Sequence, residues 1–191
     1  VGPYYPQGFN PVNIMVSEKY VRAVPGGIGF AKTGGNYAAS ILAEKEAKEN
    51  GYTQVLWLDA VERRYIEEVG SMNIFFVIDD SIVTPMLTGS ILPGITRMSV
   101  IELGKHWGLH VEERRITIDE VLKGLEDGTV TEVFGAGTAA VISPVSILAY
   151  KGKDFKVGNE ETGPVAMRFY DHLTGIQYGR ESDPFGWLEL I

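Results

Sequence analysis

The run Asn73-Ile74-Phe75-Phe76-Val77-Ile78 passes through Asp79-Asp80 directly into Ser81-Ile82-Val83. Two apolar, β-branched and aromatic runs on a two-residue acidic turn predict a β-hairpin. Much of the chain continues in this way. Residues 12–16 and 20–24 alternate as strands do, 54–58 is an apolar strand, and 65–69 and 111–116 read as strands. So do 130–134 and 140–148, with Gly135-Ala136-Gly137-Thr138 as the turn between them, and 151–157 suggests a hairpin arm. Helical signals are fewer. From Ala38 the period changes, placing Ala38, Ile41, Leu42 and Ala47 on one face and Glu44, Lys45 and Lys48 on the other, up to Asn50-Gly51. Leu92-Pro93-Gly94-Ile95-Thr96 opens a second helix over 97–107. Thr117-Ile118-Asp119-Glu120 is a capping-box pattern for a third that ends at Asp127-Gly128, and Gly163-Pro164 starts the last, to residue 173. Residues 1–11, rich in Pro, Gly and aromatics, read as a linker, and 178–191 as packed loop. So few helices cannot cover about nine strands on both faces. The expected class is α/β in the mixed α+β sense: a partly closed mixed sheet, a pseudo-barrel, with helices outside.

At 191 residues the chain can bury one core, or at most two small ones. A net charge of −8 disfavours nucleic acid and anionic membrane as partners, since both call for a basic face. The absence of cysteine excludes disulfides and thiolate metal sites. His106 and His110 bracket Trp107-Gly108-Leu109 and read as a helix end and the loop after it rather than a ligand pair. No apolar run approaches ~18 residues and no signal peptide is visible, so a cytoplasmic protein is expected. The sequence opens on Val1-Gly2-Pro3 without an initiator Met, which suggests a piece of something longer.

Four segments carry candidate chemistry. Lys32 lies between Pro25-Gly26-Gly27-Ile28-Gly29 and Gly34-Gly35, and Arg22 and Glu44 are the nearest charges. Most lysines are mobile surface charges. A desolvated one becomes a nucleophilic amine suited to Schiff-base chemistry, and flanking glycines let a planar group come close to the backbone. Residues 92–96 place backbone N–H groups and a hydroxyl at a helix N-terminus, a ready anion site, although Pro-Gly is also ordinary turn chemistry. Residues 135–138 form a second small-residue turn whose Thr138 can donate to a phosphate, or simply a tight turn. Glu67-Glu68 sets two carboxylates on a strand, so one must face inward; the alternatives are a buried acid holding a protonated ring nitrogen or an exposed pair at a strand end.

Lys32-Thr33-Gly34-Gly35-Asn36-Tyr37, Glu68-Val69-Gly70-Ser71-Met72-Asn73, Leu92-Pro93-Gly94-Ile95-Thr96-Arg97 and Phe134-Gly135-Ala136-Gly137-Thr138-Ala139 follow one another in this order. In that order they resemble the branched-chain amino acid aminotransferases, fold-type IV (class IV) pyridoxal-phosphate enzymes. The Gly-Gly-Asn-Tyr and Glu-Val-Gly-Ser-Met-Asn forms are more similar to these than to the D-amino-acid transaminase and aminodeoxychorismate lyase relatives. The resemblance extends over the whole chain and is to the larger, C-terminal domain, of the D-amino acid aminotransferase-like kind. It implies an interdomain linker over 1–11 and a pyridoxal-phosphate-binding domain over 12–191, with the family's smaller N-terminal domain absent.

It further implies roles. Lys32 would carry the cofactor and shuttle the α-proton; Glu68 would pair with the pyridine nitrogen, and Tyr37 with the ring phenolate. Leu92 would pack on the ring face. Ile95 and Thr96 would bind the phosphate with Thr138, Gly94 and Gly137 would be further cofactor-binding residues, and Arg22 a further phosphate-side partner. Ser71, Thr138 and Ala139 would lie by the substrate carboxylate, Tyr37 would also bind substrate, and Tyr4 would border its side chain. The implied reaction moves the amino group of leucine, isoleucine or valine to 2-oxoglutarate, giving glutamate, in a protein that is homodimeric at full length. The phosphate-binding arginine and the aromatic side-chain pocket of the family's N-terminal domain are not in this sequence, so a non-catalytic fold unit is the alternative for the chain by itself. The Cys-x-x-Cys of some relatives is replaced by Ala140-Val141-Ile142-Ser143, which rules out a thiol switch there.

Overall fold

The computed structural model describes residues 9–189. The 79–80 hairpin forms as the sequence requires. Strand β4 (Met72–Ile78) pairs antiparallel with β5 (Ser81–Pro85), and Asp79 and Asp80 both take positive φ, at 47° and 64°. A two-residue turn that matches the strand twist needs this conformation, and Asp tolerates it better than most residues. Around the hairpin lie β1 (Val12–Val16), β2 (Gln54–Leu58), β3 (Ile66–Val69), β6 (Val111–Arg114), β7 (Val130–Gly137), β8 (Val141–Tyr150) and β9 (Lys153–Lys156).

The sheet runs β3-β2-β1-β8-β7-β4-β5-β6, and β3 also pairs with β4. That pairing closes β3, β2, β1, β8, β7 and β4 into a six-stranded mixed barrel, leaving β5–β6 as an extension and β9 as a flap on β8. The mixed pseudo-barrel with outer helices is therefore what forms, and its closure is complete. Two cores flank the wall. Ile14, Leu56, Val69, Ile74 and Phe76 belong to one. Phe75, Phe134 and Phe169 belong to the other, beneath α2 (Ile95–His106) and α4 (Pro164–Gln177).

Helix α3 (Ile118–Asp127) forms the Thr half of the capping pattern, while the Glu120 carboxylate accepts from Arg114. Thr117 accepts a hydrogen bond from the Glu120 N–H, and Gly128 ends the helix at φ 85°, a left-handed conformation that suits glycine. Helix α1 differs from expectation. It starts at Gly34 and runs to Glu49, and it buries Asn36, Ser40, Ala43 and Ala47 rather than the stripe through Ile41 and Leu42, which are exposed. Small residues let α1 lie close on β2, where Ala43 and Ala47 pack with Val55 and Trp57.

Residues 20–24 form no strand. The Ser17 hydroxyl bonds both the carbonyl and the N–H of Tyr20, the chain bends at Arg22, and 25–30 are turns. Residues 135–137 are strand rather than turn; the turn is Thr138–Ala140. Helix α4 runs past residue 173 to Gln177. Of the expected linker, only residues 9–11 are described, and Phe9 stacks on Tyr170 of α4 with ring centroids 4.0 Å apart. His106 ends α2 and His110 lies in the loop before β6, as the sequence suggests.

Candidate active site

One mouth of the barrel gathers residues from four distant segments. Lys32, just before α1, shares a hollow of about 370 Å³ with Tyr37, Ser71, Met72 and the 137–139 turn. An adjoining hollow of about 250 Å³ again includes Lys32, Ser71, Gly137 and Thr138, and extends over Asn73 to Leu92, Gly94, Ile95 and Thr96. Every candidate side chain to which the resemblance gives a role, except Arg22, Glu68 and Tyr4, lines this double hollow, and Glu67 of the acidic pair does not. Tyr4 lies outside the described residues.

Topology explains the gathering. Ser71 sits in the β3–β4 turn that closes the barrel, and residues 138–140 sit in the next turn, between β7 and β8. Val141, which follows that turn, has φ 60°. A β-branched residue in the left-handed region is strained, so the backbone is held taut where it presents Thr138 and Ala139. The N-terminus of α2 opens on the second hollow. Its N-cap is Gly94, and no side chain caps it, so the first-turn N–H groups remain available to an anion. A side chain at Gly94 would not fit, because a Cβ there would lie 2.3 Å from Asn73 Oδ1. Buried Arg97 anchors the helix, its Nη2 donating to the Pro85 carbonyl and to Glu113 Oε2, each at 2.9 Å. Lys32 Nζ and the hydroxyls of Ser71, Thr96 and Thr138 have no partners among the described residues.

Glu68 lies behind this surface, 2% exposed. It pairs across the ladder with Asn73, accepts from the Leu92 N–H at 2.7 Å, and meets Arg22 Nε at 2.8 Å. Burial pushes its carboxyl up to about 7, against the pull of Arg22 and of the Leu92 N–H. Arg22 thus pairs with Glu68 and with the carbonyls of Ser90, at 2.9 Å, and Gly29, at 3.4 Å, and does not line either hollow. Lys32, expected to be desolvated, is exposed, as are Ile28 and Phe30 before it.

Glu67 also differs: both acids of the pair are buried, because β3 is covered on both faces. Sequence reasoning missed Asn73 and Ser90. Asn73 Nδ2 donates to the Leu92 carbonyl at 2.9 Å, fixing the loop that carries Leu92, and its signal was a polar residue in an apolar strand. Ser90 gave none.

The amino-transferase class IV family profile matches residues 4–148 of the chain. The chain belongs to that family. Branched-chain-amino-acid aminotransferase 2 of Bacillus subtilis (strain 168) is 59% identical over 187 residues, which cover 98% of this chain and 52% of that protein. The crystal structure of the Escherichia coli branched-chain amino acid aminotransferase superposes with a TM-score of 0.85 at 36% identity, covering 100% of this chain and 59% of that one. The branched-chain amino acid aminotransferase of Thermobaculum terrenum, solved in its PLP (holo) form, has a TM-score of 0.76 at 29% identity, over 90% of this chain and 52% of that one. The chain therefore spans about half the length of the relatives it matches. Among the described residues no helix is long and apolar enough to cross a membrane.

Proposed function

We propose that this chain is the pyridoxal-phosphate-binding part of a branched-chain-amino-acid transaminase, which moves amino groups from leucine, isoleucine and valine to 2-oxoglutarate. The observation that carries the reading is the double hollow, where an unpartnered amine, an uncapped helix N-terminus and three free hydroxyls converge with a buried acid behind them. Those groups fit a planar, anionic cofactor at each of its ends. The chemistry such a cofactor supplies when bound is an electron sink for the carbanion left as the substrate α-proton departs.

The chain's own groups then divide the work. Lys32 Nζ holds the cofactor and carries the proton away from and back to the substrate. Glu68 holds a proton at the ring nitrogen, and its buried pairing with Arg22 keeps the carboxylate from turning elsewhere. Tyr37 donates to the ring oxygen, and Leu92 covers the ring face. The N–H groups of Ile95 and Thr96, with the Thr96 and Thr138 hydroxyls and the small Gly94 and Gly137, cup the phosphate. Ser71, Thr138 and Ala139, with Tyr37, receive the substrate carboxylate, and Tyr4 borders its side chain. Residues 1–11 serve as linker and 12–191 as the cofactor domain.

The segment bearing Lys32 exposes Val24, Ile28, Phe30, Ile41 and Leu42. We place the remainder of the relatives' length over this apolar surface, in a cytoplasmic homodimer, where it would exclude water from Lys32. The test is a coupled glutamate assay with leucine and 2-oxoglutarate, on a protein of the relatives' full length that carries this sequence. Turnover of D-amino acids or of aminodeoxychorismate with none of leucine would replace this reading with another class IV activity.

A further inference from the structure

Glu67 is a buried charge to which the site described above gives no task. It is 5% exposed and neighbours Glu68 on β3, so the two carboxylates lie on opposite faces of the strand. Its Oε1 accepts from the Ser90 hydroxyl, and its Oε2 has no partner among the described residues. Burying a carboxylate for one hydrogen bond opposes folding, so that bond calls for a reason. Ser90 is itself fully buried. With its only hydroxyl proton given to Glu67, it accepts from Thr88 Oγ1 at 2.9 Å. Its carbonyl accepts from Arg22 Nη1 at 2.9 Å. Two residues on, the Leu92 N–H donates to Glu68 Oε1. The segment 90–92 thus touches Glu67 with a side chain, Arg22 with a carbonyl and Glu68 with an N–H.

We propose that Glu67 is a positioning residue: through the Ser90 hydroxyl it holds segment 90–92 so that Arg22 and Leu92 keep the Glu68 carboxylate in place for the cofactor's ring nitrogen. What Glu68 faces rests on the functional reading above; the coupling of Glu67 to Glu68 does not. The charged groups acting on Glu67 besides Glu68 are Asp59, Arg22 and Arg115, and those acting on Glu68 are Arg22 and Glu67.

The test uses the cofactor-free 191-residue chain, so it stands whether or not the chain binds pyridoxal phosphate. Carbon-13 NMR follows the titration of Glu68, and amide exchange follows Leu92, with Phe76 in the barrel wall as the reference. Glu67→Gln keeps an acceptor for Ser90. It is expected to leave Leu92 exchange unchanged and to lower the Glu68 midpoint, because one nearby negative charge is gone. Glu67→Ala and Ser90→Ala remove the bond. Both are expected to speed Leu92 exchange by about tenfold, the worth of one hydrogen bond, with Phe76 unaffected. Both are also expected to set the Glu68 midpoint above that of Glu67→Gln. Equal Glu68 midpoints in Glu67→Ala and Glu67→Gln, or Leu92 and Phe76 exchange rising together, would overturn the proposal and leave Glu67 as a nearby charge or a general packing residue.

Discussion

Glu68 combines three conditions that rarely meet in one carboxylate: burial, an arginine at 2.8 Å and a backbone N–H at 2.7 Å. Burial dominates, so the folded protein holds a proton there that the unfolded chain has released. Native stability from this group is fully present below the ordinary carboxylate value of 4.5 and is lost as pH rises through about 7. Burial of Glu67 pushes in the same direction. Asp59, Asp127 and Asp183 are lowered from 3.8, so their effect falls below this window. Urea unfolding of the cofactor-free chain is therefore expected to show stability falling between about pH 5 and pH 8, with a shallower fall in Glu68→Gln. Stability that rises over that window, or an unchanged slope in the variant, would show that Glu68 is ionised throughout. In a protein of the relatives' full length that carries this sequence, the proposed function predicts that Glu68→Gln lowers kcat on the order of 10²-fold, the usual loss when one preorganised electrostatic group is removed. A kcat within a few-fold of the original would take Glu68 away from the ring nitrogen.

Among the elements, α3 was the most legible. A Thr N-cap and a terminal glycine are local signals that the structure uses, whereas the Glu120 carboxylate accepts from Arg114 instead of the Thr117 N–H. Thr117→Ala is expected to cost about 1 kcal/mol, because the Glu120 N–H loses its acceptor; a change below a few tenths in urea unfolding would mean that water replaces the cap without loss. Helix α1 departs from its apolar stripe because hydrophobicity is a poor guide where small size decides. Ala43 and Ala47 are buried for close approach to β2, while Ile41 and Leu42 face outward. The segment 20–24 has the alternation of a strand, but Arg22 is drawn into the Glu68 pair, a contact across 46 positions that no local pattern shows. The 135–138 segment resembles a turn because of its glycines, yet Gly135 and Gly137 are ladder residues opposite Ser143 and Val141.

At the scale of the whole molecule, the mixed barrel could be inferred from counting strands against helices, but its closure could not. The β3–β4 pairing that seals it depends on the short Gly70-Ser71 connection, and the same connection delivers Ser71 to the hollow. The candidate site was legible through its motifs, each on a turn or helix start that faces one mouth of the barrel. Asn73 and Ser90 were hidden because they act through tertiary hydrogen bonds. The exposure of Lys32 has a functional consequence for the chain by itself. The resemblance implies a phosphate-binding arginine that this sequence does not contain, and a charge-assisted contact of that kind would be worth roughly 1.5–3 kcal/mol. Its loss would weaken cofactor binding by about ten- to over a hundred-fold. Negligible leucine–2-oxoglutarate turnover by the 191-residue chain is expected in a coupled glutamate assay, and full-length-like turnover would refute the need for the relatives' further length.

The most direct measurement is chemical. The chain is saturated with pyridoxal phosphate and reduced with borohydride, and the modified peptide is located by mass. Modification at Lys32, abolished in a folded Lys32→Ala variant, is the predicted result. Modification spread over surface lysines, with Lys32 no more reactive than the rest, would contradict the assignment of this hollow as the cofactor site.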